Sequence, residues 1–183
     1  RDLFDASYGK QPIPVCGGIK PGDVSADAKY GRWPFGLCDR IERGDVPVNV
    51  DDWLRESADA LPRIDFRGQA HPEGSWEGVV WGDYWEVRQA RAAHLLGLAG
   101  ADPARRRFIG IAADILQGIV EENPDAPAHV YRNLATALGR RGFENDAQRA
   151  LAAKSWRRYL EKAPLGDPQR PAIEKEVARL EGR

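Results

Sequence analysis

Two kinds of punctuation recur at almost equal distances in the second half of this chain, and they constrain its fold more than anything else. Gly100 and Gly142 lie 42 residues apart, and Pro124 and Pro164 lie 40 apart. Between these marks the apolar residues fall at intervals of three and four, the spacing of a helix with one buried face. From Asp102-Pro103, a capping residue followed by proline at the first helical position, Phe108, Ile111, Ala112, Ile115, Leu116, Ile119 and Val120 follow this rule up to Asn123-Pro124. The segment 128–141 does so through Val130, Tyr131, Leu134, Ala137 and Leu138 and closes at Gly142. Residues 144–163 place Ala147, Ala150, Ala153, Trp156, Tyr159 and Leu160 on one stripe before Pro164, and a last helix over 167–181 carries Ile173, Val177 and Leu180. An earlier helix is predicted over 84–98, with Trp85, Ala92 and Leu96 on its stripe and Gly100 at its end. No strand pattern is read anywhere in the chain.

A period near 40 residues built from two helices is the mark of an α-solenoid unit. The run Tyr131, Leu134, Ala135, Leu138, Gly142, Ala150, Trp156, Tyr159, Leu160, Pro164 resembles the tetratricopeptide repeat family in its alternation of large and small residues ending in proline. The resemblance covers about the last 100 residues, with the C-terminal helix similar to the solvating cap such repeats need. One departure is clear: the interval from Gly142 to Pro164 is longer than the repeat of roughly 34 residues allows. The resemblance implies stacked antiparallel hairpins that offer a face for docking. The fold class expected is therefore mainly α, with a helical-repeat domain over residues 81–183.

Residues 1–80 read differently. Pro12, Pro14, Pro21, Pro34 and Pro47 alternate with glycines through the first 50 positions, leaving room for little beyond a short helix. One such helix is expected from Asp51, as cap, to Ala60. Residues 62–80 return to loop in this reading. Yet Leu3, Phe4, Tyr8, Ile13, Val15, Tyr30, Trp33, Phe35 and Leu37 are too many large apolar groups to leave in water. The expectation is an irregular but ordered arm that wraps its own helices or a partner.

The net charge of −1 in 183 residues gives no general reason to expect nucleic acid or an anionic surface as partner. It conceals an asymmetry, because residues 1–87 hold 10 Lys+Arg against 16 Asp+Glu, and residues 88–183 hold 17 against 12. No stretch approaches the roughly 20 apolar residues that span a bilayer. The two cysteines, Cys16 and Cys38, both fall in the arm, 22 positions apart, in neither a Cys-x-x-Cys nor a haem-attachment setting. A disulfide between them is expected, and with it a periplasmic or secreted location. The chain begins at Arg1 and not at Met. Removal of an exported leader leaves such an end, and so does trimming.

Groups with catalytic potential are sparse. His71 precedes proline in a loop, His94 sits beside Leu95 on a helix, and His129 falls in a first helical turn. No nucleophile elbow, phosphate-binding loop or metal-spaced ligand set is found, so no catalytic residue, cofactor or metal is expected. Trp76, Trp81, Tyr84 and Trp85 are interleaved with Glu73, Glu77, Asp83 and Glu86. Paired carboxylates beside tryptophan can cleave or bind sugars, which makes a small carbohydrate-binding or carbohydrate-active protein the alternative reading. Arg105, Arg106 and Arg107 oppose a helix dipole at its N-terminus, at a cost of a few tenths of a kcal/mol each, about what one acidic neighbour offsets. The function expected is non-catalytic: an exported protein docking a protein partner, as accessory or assembly subunit of a larger enzyme complex such as an oxidoreductase. The residues expected to meet that partner are Trp33, Phe35, Trp76, Trp81, Arg105, Arg106 and Arg107.

Overall fold

The computed structural model describes residues 10, 14–15, 30–61, 71, 74–100 and 102–182. The protein is mainly helical. It divides into two units, Arg1–Arg91 and Ala92–Arg183.

In the first unit, strands stand where the sequence reading placed irregular chain. β1 (Pro14–Val15), β2 (Tyr30–Phe35) and β3 (Cys38–Arg43) form an antiparallel sheet in the order β1-β3-β2. β2 and β3 are a hairpin in register from Tyr30↔Arg43 to Phe35↔Cys38, with Gly36 and Leu37 as the turn. Gly36 takes φ of +60°, and a Cβ there would lie 2.9 Å from the carbonyl oxygen of Ala60, so glycine is required twice over. Pro34 is tolerated because β2 is an edge strand. α1 (Val50–Asp59) holds the hairpin from one side. Its Trp53 is fully buried, donates from Nε1 to the Pro34 carbonyl at 2.8 Å and meets Trp33 edge to face at 5.2 Å. Arg40 of β3 adds a 2.8 Å bond to Glu56 of α1. The cap of α1 is Asn49 and not Asp51: its Oδ1 accepts from the amides of Asp51 and Asp52. Those two carboxylates then sit in the first turn, where the dipole favours them.

α2 (Trp76–Ala99) begins two turns before the expected start at Tyr84. Ser75 Oγ accepts from the Gly78 amide at 3.0 Å and caps it. With that end satisfied, Gly78 and Gly82 are carried inside the helix despite their low propensity.

The second unit contains the C-terminal part of α2, a 3-10 turn over Pro103–Arg105, and α3 (Arg106–Glu122), α4 (Ala128–Arg141), α5 (Asp146–Lys162) and α6 (Arg170–Leu180). From α3 onward, each helix packs on the next. Neighbours run antiparallel: Arg141, ending α4, lies 3.7 Å from where a Cβ of Gly110 in α3 would stand, and Arg157 of α5 pairs with Glu181 beyond α6. α4 is buried on more than one side, through Val130, Tyr131, Leu134, Ala135, Ala137 and Leu138. On α5 the buried stripe is Ala152, Ala153, Ser155 and Tyr159, turned from the expected one so that Ala147 and Ala150 face solvent. Polar Ser155 fits there because its hydroxyl bonds back to the Leu151 carbonyl at 2.8 Å.

The loop between α5 and α6 is fixed by Tyr159, whose hydroxyl donates to Asp167 while Asp167 Oδ1 accepts from the Gln169 amide at 2.9 Å. The Tyr159 bond, then the Gln169 amide, holds the Asp167 carboxyl below its ordinary value of 3.8. A carboxylate depressed in the folded state stabilises the fold above its unfolded pKa, and that contribution is lost as pH falls through the folded one. The melting temperature should therefore fall as pH drops below 3.8, and less steeply in Asp167→Asn than in the parent. Parallel melting curves against pH for the two proteins would show that the bond contributes nothing.

A candidate docking face on helix α2

Residues advance about 100° per position on a helix, which assigns α2 two separate apolar faces. Tyr84 and Trp85 fall on one face and are buried within the first unit. They meet edge to face at 5.2 Å, Trp81 joins Trp85 at 6.0 Å, and the Arg88 guanidinium lies over both Tyr84 and Trp85 at 5.5 and 5.1 Å. Arg91 on the same side donates to the Leu54 carbonyl at 2.6 Å. Burial, and then the neighbouring Arg88 cation, lower its pKa.

The opposite face carries Trp76, Val79, Asp83, Glu86, Val87 and Ala90, all within about 100° of arc. Trp76 is 76% exposed and Val79 47%. Further along this face a groove of about 250 Å³ opens between α2 and the hairpin turn. Pro34, Leu37, Val87 and Ala90 supply its apolar lining, and Asp39, Asp83 and Glu86 its carboxylates. Its one cation among the described residues, Arg32, donates from Nε to Asp39 at 2.7 Å. Leu37, at the hairpin turn, is 40% exposed.

A larger groove of about 520 Å³ lies on the second unit beside α5. Its floor is mainly alanine, at Ala150 and Ala153. Two of its three cations are matched locally, Arg149 by Asp146 at 3.4 Å and Arg157 by Glu181 at 2.5 Å. It offers neither a large exposed side chain nor much unmatched charge.

The residues singled out from the sequence are thus dispersed. Trp33 is half-buried against Trp53, Phe35 is covered by the Arg40 guanidinium at 5.2 Å, and Trp81 stacks inward with His71 at 5.9 Å. Trp76 alone among these aromatic residues is exposed. Trp81 and Trp85 face away from Asp83 and Glu86, Trp76 shares a face with those two carboxylates, and Glu73 lies outside the described residues. Arg105 pairs with Asp102 at 3.4 Å and donates to the Leu98 carbonyl, Arg107 lies over Phe108 at 4.9 Å, and Arg106 is exposed. No described cysteine is free, and Cys16 lies outside the described residues. His94 is half-buried and His129 exposed. Among the described residues no three His, Cys, Asp or Glu side chains are grouped as metal ligands would be. The sequence reading placed Leu37 among the arm residues that wrap the chain's own helices or a partner, and missed Val79 and Val87. The signal for the last two was present as three-and-four spacing from Trp76, but Gly78 and Gly82 obscured it.

No protein-family model, curated protein or solved structure matches this chain. Its function must be argued from these residues.

Trp76 and Trp53 make a controlled pair, one exposed and one fully buried. Trp53→Ala should cost about 3–5 kcal/mol of stability, whereas Trp76→Ala should fall within about 0.5 kcal/mol of the parent. Urea unfolding of both variants measures this. Equal losses would make Trp76 a fold residue and remove the docking face.

Proposed function

We propose that this protein is a non-catalytic, exported helical protein that binds a protein partner through the outer face of α2. Its role is that of an accessory or assembly subunit in a larger enzyme complex, of which a multi-subunit oxidoreductase is one concrete case. The observation that carries the proposal is the exposed line of Trp76 and Val79 leading into the groove at Leu37. Helices apolar on two faces are covered on both when they work. Exposed tryptophan is the residue type on which interface energy concentrates.

Export is supported by the cysteines. Cys38 is not free in the structure, and the one other cysteine of the sequence, Cys16, is its expected partner. A bridge between them would stabilise the protein by about 3 kcal/mol, and bridges of this kind persist in oxidising compartments.

Isolation of the protein from its source under native conditions, with the thiols counted before and after reduction, tests both parts. The expected result is a stoichiometric protein partner that is lost in Trp76→Ala, no free thiol before reduction and two afterwards. A lone monomer that binds no apolar dye would overturn the docking role, and two free thiols in the native protein would overturn export.

A further inference from the structure

The α2 groove also specifies the chemistry of what it receives. We infer that its occupant is a cationic amphipathic segment of a partner protein. This rests on the docking role proposed above and adds the sign of the partner's charge. The apolar floor at Pro34, Leu37, Val87 and Ala90 calls for apolar side chains on one side of the ligand. The rim calls for cations: Arg32 is engaged by Asp39, while Asp83 and Glu86 are exposed, one turn apart, with no cationic partner among the described residues. Trp76 stands at one end of the same face, where its ring can take either an aliphatic side chain or a guanidinium over its π surface.

The dimensions agree. From Trp76 to Ala90 the face runs for about 21 Å at 1.5 Å per residue, the length of a four-turn helix.

A second copy of the same chain is disfavoured by symmetry. A two-fold dimer through this face would set the Asp83 and Glu86 rim against its own image, and like charges facing each other across an interface are repulsive. A partner of opposite charge meets no such penalty, and each exposed ion pair adds a factor of about two to five in affinity.

The test uses the intact protein and two synthetic 14-residue amphipathic peptides, one of leucine and lysine and one of leucine and glutamate. Their binding is followed by fluorescence anisotropy of a peptide label. The lysine peptide should bind about tenfold more tightly than the glutamate peptide, and added salt should narrow the difference. The double variant Asp83→Lys, Glu86→Lys, with both substitutions on an exposed helix face, should reverse the preference, and Trp76→Ala should weaken both peptides. A preference that survives the double variant, or equal binding of both peptides, overturns the inference about charge. It leaves the docking role intact if Trp76→Ala still releases the native partner. Binding of neither peptide overturns the groove as the contact. A dimer in sedimentation that dissociates in Trp76→Ala would make the occupant a second copy and overturn the inference in that way.

Discussion

The helical half of the protein depends on arginine side chains donated to helix C-termini. The last carbonyls of any helix have no partner within it and carry the negative end of its dipole. Arg140, at the end of α4, donates to the carbonyls of Leu96 and Gly100 and so closes the end of α2 from another helix. Arg105 adds a bond to Leu98 of the same terminus. Arg170 performs the same task for α5, donating to Leu160 at 2.7 Å and Ala163 at 3.3 Å. Each contact satisfies a polar group and places a cation where the dipole favours it, and those of Arg140 link residues 44 and 40 positions apart. Three of the 14 arginines over residues 88–183 are engaged in this way.

The first unit is organised by different means. The hairpin is fixed by contacts from outside itself: the Trp53 indole on the Pro34 carbonyl, the Arg40–Glu56 bond and the close approach of Gly36 to Ala60. These contacts set the turn at Leu37 beside the outer face of α2. The groove is therefore a by-product of how α1 and α2 hold the hairpin, and its acidic rim mixes residues from a strand with residues from a helix.

This explains which parts were legible in the sequence. The helices of the second unit are locally specified. Asn123 before Pro124, Gly142 with its φ of +86°, and Pro164 each end a helix for reasons contained within a few residues, and the observed ends fall close to those marks. Even there, the buried stripe of α5 is rotated, because a helix rich in alanine on several sides does not declare which side is packed. The hairpin was not legible. Gly31, Pro34 and the charged residues of Cys38–Arg43 contradict strand propensity, and what overrides them is a tryptophan 19 positions from its acceptor. The start of α2 was obscured by glycines at 74, 78 and 82, and only the Ser75 cap restores it. Of the residues expected at a docking face, Trp76 alone among the aromatics is presented to solvent, since aromatic composition cannot distinguish a ring that packs inward from one that does not.

That distinction bears on why a helix such as α2 exists at all. A helix needs one apolar face to join its own core, and Tyr84 and Trp85 fulfil that need here. The second face leaves Trp76 and Val79 exposed, the kind of apolar surface that favours association. Its glycines matter in the same sense. Gly82 has no atom within 4 Å of where a Cβ would stand, so it is not demanded by internal packing. A helix that tolerates glycine where no described residue crowds it, and keeps large apolar groups exposed among the described residues, has a sequence shaped by something other than its own stability. The rim at Asp83 and Glu86 then limits what that something can be, because the carboxylates keep the exposed face soluble and disfavour its pairing with itself. In the docking role proposed, the apolar line would supply the affinity and the carboxylates the selectivity, on one helix held in place by contacts made on its other side.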